Sequence, residues 1–108
     1  MKSDTIYLEH ILEAIITIET YAKNVSYEEF DKNKMMIDAV VRELEIIGEA
    51  SNNLSGKFIK DNPEFPARDA IDMRNFLTHE YFGVNTKIVW ETCKNDLLEI
   101  KEFIQNYL

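Results

Sequence analysis

Residues 34–54 read KMMIDAVVRELEIIGEASNNL, and the spacing of apolar residues in this stretch decides the fold. Met36, Ala39, Val40, Leu44, Ile47, Ala50 and Leu54 recur at steps of three and four, which places them on one face of an α-helix. Met35, Ile37, Val41 and Ile46 widen that face, so the spacing predicts a helix packed on two sides. Gly48 interrupts it. A glycine inside a helix costs about 1 kcal/mol relative to alanine, and a close approach of another backbone is the expected reason for it.

The same period extends outward in both directions. Leu8, Ile11, Leu12, Ile15, Ile18 and Ala22 predict a first helix that starts after Ser3 or Asp4 and runs to about Lys23, with His10 off its buried stripe as a solvated or rim histidine. Ser26 and Glu29 have the spacing of a capping box and predict a short helical turn through Phe30. Gly56, Asn62 and Pro63 give residues 55–65 a loop composition, with room for one helical turn. Pro66 suits the first position of the next helix, which turns Ala70, Ile71, Met73, Phe76 and Leu77 inward and ends near Phe82 and Gly83. Asn85 can cap a last helix whose stripe is Trp90, Cys93, Leu97, Ile100, Ile104 and Tyr107. These aromatics read as core filling.

The 108 residues include only three Gly and two Pro, 45% are hydrophobic and 30% charged, which predicts one all-α domain over residues 1–108. No apolar run approaches the roughly 20 residues of a membrane span, and no signal-peptide pattern opens the chain, so the expected location is cytoplasmic. Cys93 is the one cysteine and there are two histidines, so no zinc-site spacing is present and no metal or cofactor is expected. The formal net charge of −8 disfavours broad nonspecific binding to nucleic acid. Any RNA site must be local, and Lys57, Lys60, Arg68, Arg74 and Lys87 are the basic residues available around it.

The chemistry concentrates in Arg74-Asn75-Phe76-Leu77-Thr78-His79-Glu80-Tyr81. On a helix Asn75 and His79 lie side by side one turn apart, and Arg74, Thr78 and Tyr81 form an adjoining stripe. Arg74 offers a permanent cation for a phosphate, His79 a group that titrates near neutrality, Asn75 a partner to orient the imidazole, Thr78 a hydroxyl and Tyr81 a phenol. Arg74 and His79 diverge by about 140° and about 7.5 Å along the axis, so a compact site calls for a second copy of the helix across a two-fold axis. The structural alternative is that Arg74 pairs with Asp69, Asp72 or Glu80, that Tyr81 packs at the helix end, and that Glu49, a candidate contributor to a site beside Gly48, is instead an ordinary solvent-facing or interface glutamate.

Residues 73–84 resemble the Arg-x4-His-x-Tyr motif of the HepT-like branch of the HEPN ribonucleases. Residues 44–50, LEIIGEA, and residues 88–91, IVWE, resemble the same family in the same order, so the likeness spans roughly Tyr27 to Phe103. Glu80 departs from the small residue common in the motif, and Ala67 from the aromatic that often follows the proline. The resemblance implies a homodimeric antiparallel bundle of four to five helices. It further implies a metal-independent endoribonuclease toxin with Arg74 and His79 as catalytic residues, Asn75 and Thr78 supporting them, and a 2′,3′-cyclic phosphate product. The implied partner is a nucleotidyltransferase antitoxin that transfers AMP to Tyr81. A catalytically inert subunit that binds a nucleotidyltransferase or a nucleotide, and a plain dimeric interaction module, are the other readings the sequence allows.

Overall fold

In the computed structural model, residues 3–79 and 85–108 are described, with backbone alone for Thr78 and His79. The chain is helical along α1 (Asp4–Ala22), α2 (Tyr27–Asp31), α3 (Lys34–Asn52), α4 (Gly56–Asp61), α5 (Ala67–His79) and α6 (Thr86–Glu91). A π-helical turn (Thr92–Asp96) then leads without a break into α7 (Leu97–Tyr107). Four long rods result: α1, α3, α5 and the α6 to α7 run, with α2 and α4 as short connectors. No strand occurs among the described residues, and none of the described helices is long and apolar enough to cross a membrane.

Local chemistry sets the boundaries. Asn24 adopts the left-handed conformation (φ 60°) that closes α1. Ser26 accepts from Glu29 N–H while its own N–H donates to the Glu29 carboxylate, the reciprocal capping box that starts α2. Asn33 caps α3 through Met36 N–H, and Asn85 caps α6 through Lys87 and Ile88 N–H. Ser55 caps α4, and its hydroxyl and backbone N–H both donate to the Asp4 carboxylate at 2.7 Å, tying the start of α4 to the start of α1. Pro66 lies one residue outside α5: its carbonyl accepts from Ala70 N–H, so it caps the helix where the sequence placed it at the first helical position.

Helix α3 is the central rod, with α1 along one side and α5 along the other. Its wide apolar face is therefore used within the chain, as the two-sided burial predicted. Val40, Leu44 and Ile47 are buried, while Ile37, Val41 and Ile46 pack at the edges of the core. Met35 is not part of that face, being 82% exposed just past the N-cap. Leu8, Ile11, Ile15 and Ile18 of α1 and Ile100 and Ile104 of α7 complete the centre. Phe58, Phe65 and Phe103 close one end through edge-on ring contacts. Two inward placements expected from the period fail: Phe76 is 38% exposed on α5, and Tyr107, the last residue of α7, is half exposed over the Phe58 and Phe103 rings.

The π turn explains a further difference. Leu97 N–H donates to Thr92 carbonyl, five residues back, which adds one residue to the turn. The buried line consequently runs Val89, Thr92, Leu97, Ile100, Ile104. Trp90 and Cys93, which an unbroken α-helix would place on that line, pack beside it, with Trp90 against Phe30 and Tyr27.

Candidate active site

Gly48 is where the site begins. A Cβ at this position would stand 2.2 Å from the Cβ of Arg74 and 2.8 Å from the carbonyl oxygen of Ala70. Only a glycine lets α5 approach α3 so closely, as its cost to the helix predicted. Buried Ala50 and Ser51 keep the next turn of α3 small, and the Ser51 hydroxyl is satisfied by Ile47 carbonyl at 2.8 Å.

The close approach delivers Arg74 to Glu49, the residue after the glycine. The guanidinium Nη2 donates to Glu49 Oε2, and Nη1 donates to Asn75 Oδ1 at 2.9 Å. Of the arginine side chain 29% is exposed and of the glutamate 58%. An ion pair this open contributes only about 0–1 kcal/mol to stability; its effect is to fix one edge of a planar cation at the protein surface. The sequence offered Asp69, Asp72 and Glu80 as partners, all near in the chain. Glu80 lies outside the described residues, and the acid of the ion pair seen among them comes from the neighbouring helix, 25 residues away. Glu49 thus lines the candidate site beside Arg74.

Arg74 forms one wall of a surface cleft of about 500 Å³. Its floor is the groove between α1 and α3, lined by Tyr7 and His10 on one side and by Arg42, Glu45, Ile46, Glu49, Ala50 and Asn53 on the other. Arg42, Glu45, Glu49 and Asn53, the last being the C-cap of α3, follow steps of three and four, a polar stripe beside the apolar one, with Ile46 and Ala50 where the two meet. The apolar period does not reveal it. Histidine 10 is exposed, as expected for a residue off the buried stripe, and its ring meets Tyr7 edge-on at 6.4 Å.

Arg74 and Asn75 are thereby brought together, and α5 carries the backbone of His79 to its last turn. The side chains of Thr78 and His79, and all of Glu80 and Tyr81, lie outside the described residues. Among the described residues no three His, Cys, Asp or Glu side chains are grouped so as to hold a metal ion. Cys93 does not line the cleft but a separate hollow beside Lys94 and Leu98, and burial pushes its thiol up to about 12 against a weaker opposing pull from Lys94.

The model of the HepT-like ribonuclease family matches residues 11–107 of the chain. The chain belongs to this family. Among its HepT-like relatives, the "Probable ribonuclease HepT" of Thermococcus cleftensis is 43% identical over 100 residues, covering 93% of this chain and 91% of the relative. A "Putative RNase" of Caldanaerobacter subterraneus is 40% identical over 108 residues, covering 100% and 96%. A third relative, the "Gamma-glutamylcyclotransferase and putative RNase" of Methanocaldococcus jannaschii, is 42% identical over 105 residues, which make up 47% of its length. No solved structure matches the chain. The HepT-like assignment and the all-α bundle of four long rods agree with what the sequence motifs implied.

Proposed function

We propose that this HepT-like protein is a metal-independent endoribonuclease that works as a homodimer in the cytoplasm and serves as the toxin of a toxin–antitoxin pair. The observation that supports this reading best is the placement of Arg74. It is a permanent cation held at a cleft wall by a carboxylate from another helix, five residues before His79 on α5. His79 takes the proton from a ribose 2′-OH, the O2′–P bond forms, and the P–O5′ bond breaks. The leaving oxygen receives a proton from an imidazolium. Arg74 stabilises the charge that gathers on the non-bridging oxygens. The products are a 2′,3′-cyclic phosphate and a 5′-hydroxyl.

A second copy supplies the second imidazole. About 140° of helix rotation separates Arg74 from His79, and a two-fold axis along α5 sets both pairs around one substrate. The wide face of α3 is covered within the chain by α1 and α5 and is not free to form the dimer. Exposed Phe76, beside Arg74 and Asn75, is the apolar residue on α5 that a second copy would cover.

Control falls to a nucleotidyltransferase antitoxin that transfers AMP to Tyr81. A phosphodiester there, seven residues after Arg74 in the chain, adds an anion that competes with RNA for the guanidinium. The test is cleavage of single-stranded RNA in EDTA by the purified protein, with product ends identified by mass. His79→Ala and Arg74→Ala are expected to abolish cleavage with helical circular dichroism unchanged. A His79→Ala protein that still cuts overturns the mechanism, and a monomer in light scattering at micromolar concentration overturns the assembly. Coexpression with the nucleotidyltransferase should add the mass of AMP at Tyr81; neutralisation without added mass overturns the proposed control.

A further inference from the structure

Two of the three arginines of this chain and one of its two histidines line a single cleft, although the protein as a whole carries a net charge of −8. Arg74 is accounted for by the proposed chemistry. Arg42 is not. It is exposed on α3, seven residues before Glu49, and it enters no ion pair among the described residues. Seven residues are almost two full turns, so Arg42 and the Glu49 that holds Arg74 share one face of α3 about 10.5 Å apart along the axis. Asp4 at the start of α1 bonds Ser55 just past α3, so the two helices run antiparallel: Tyr7 and His10, their rings at right angles, stand across the groove at its Glu49 and Asn53 end, and Arg42 lines the same cleft towards its other end.

We propose that Arg42, Tyr7 and His10 form a subsite for the nucleotide next to the scissile phosphate: Arg42 takes the neighbouring phosphate, and the Tyr7 and His10 rings offer a face to its base. The parts match what unpaired RNA requires, a cation on the backbone and an aromatic surface for a splayed base. The cleft volume of about 500 Å³ has room for a nucleotide. Asn53, at the Arg74 end of the same stripe, adds an amide that can read a base edge.

The groove also sets where the strand stops. Beyond His10 and Ile46 its lining changes to Glu13, Thr17 and Glu43. The first stretch also holds two carboxylates, Glu45 and Glu49, but sets two arginines against them, whereas no arginine or lysine lines the stretch beyond, so the track of positive charge ends after one nucleotide step. The cleft is therefore a short subsite beside a reaction centre, suited to a splayed strand rather than a long duplex. A second copy of this chain is the competing occupant. The charged lining argues against it, since the buried centre of a protein interface is depleted of charged residues.

This inference rests on the ribonuclease reading. The test separates the two with steady-state cleavage and fluorescence-anisotropy binding of a short single-stranded RNA, measured on the full-length protein. Arg42→Gln should raise both KM and the dissociation constant about tenfold and leave kcat within about twofold, the pattern of lost uniform binding. Arg42→Lys should recover most of the affinity, and Lys32→Gln, with the same charge change on an exposed residue away from the cleft, should match wild type. Wild-type cleavage with KM and affinity unchanged in Arg42→Gln overturns the subsite and leaves the ribonuclease reading standing. Failure of the wild type either to bind or to cut the RNA overturns both. A shift of Arg42→Gln to a smaller assembly in light scattering assigns the cleft to a copy of the chain and overturns the subsite.

Discussion

Replacing Gly48 with alanine sets two effects of known size against each other. Alanine is the better helix former by about 1 kcal/mol, and on an isolated helix the substitution would stabilise. In this bundle the new methyl group meets Arg74 Cβ at 2.2 Å, Arg74 Cγ at 2.9 Å and Ala70 carbonyl oxygen at 2.8 Å. Ordinary carbon contacts begin near 3.5 Å, so α5 must retreat by about 1.3 Å. Two of the three obstructing atoms belong to the backbone or sit next to it, so a change of rotamer does not relieve them. Overpacking of this kind costs about 1–3 kcal/mol. The helix gain offsets about 1 kcal/mol of that, and the net loss is up to about 2 kcal/mol. For a domain of this size that lowers Tm by up to about 10 °C. The same retreat draws Arg74 away from Glu49, and a displacement near 1 Å at a reacting centre costs about a hundredfold in rate. Thermal unfolding by circular dichroism and initial rates of RNA cleavage read the two effects separately. Gly56 is the control, because a Cβ there meets nothing within 4 Å and its φ is not positive. Gly56→Ala should gain about 0.4–1 kcal/mol. A Gly48→Ala protein that melts at or above the wild-type temperature with full activity refutes the close-approach argument.

Three further expectations concern other parts of the molecule. Glu49→Gln keeps a hydrogen-bond acceptor but removes the charge that holds Arg74, so stability should change by less than about 1 kcal/mol while cleavage falls; an unchanged rate separates Glu49 from the site. Cys93, pushed up to about 12 by burial, should stay a protonated thiol at neutral pH and react with a disulfide reagent only after denaturant is added; rapid reaction of the folded protein contradicts its placement. The Glu29 carboxyl is held below 4.5 by hydrogen bonds from the Ser26 backbone and then from its side chain. A depressed folded-state value stabilises above the ordinary carboxylate range and is lost as pH falls through the lowered value. Acid titration should therefore show a component that Glu29→Gln removes, and an identical acid profile in the variant refutes it.

Where a residue's role follows from its own helix, the sequence was a sufficient guide. The bounds of α1 and α3, the Ser26 and Glu29 box, the Asn85 cap and the purpose of Gly48 all follow from local periodicity or backbone chemistry. Roles that depend on a neighbouring helix were harder to see. The Glu49 carboxylate reaches Arg74 only because α3 and α5 nearly touch, and nothing in the spacing distinguishes it from nearer acids. Arg42 and Asn53 resemble any solvent-facing residues until α1 is laid beside them. Met35 and Phe76 fit an apolar period yet face outward, because periodicity states which residues share a face and not how far a neighbour extends along it. The Trp90 to Tyr107 stripe assumed an unbroken α-helix, and a single added residue shifted its upper half.

That added residue makes the last helix an object with two phases. Above the π turn the rod is indexed to α2 through Trp90, Phe30 and Tyr27; below it the rod is indexed to α1 and α4 through Ile104 and Phe103. One straight α-helix would have to compromise between the two sets of neighbours, because a rotation that seats one unseats the other. The extra residue works as an angular offset of about 100° between two otherwise rigid gauges. It follows that the loss of one residue within 92–96 would change the geometry of the rod far more than its composition. Removing one there would restore a regular helix, and the end of the molecule that carries Trp90 would turn relative to the end that carries Phe103. The alignment of the bundle's two ends is in this sense stored in a count of residues rather than in any side chain.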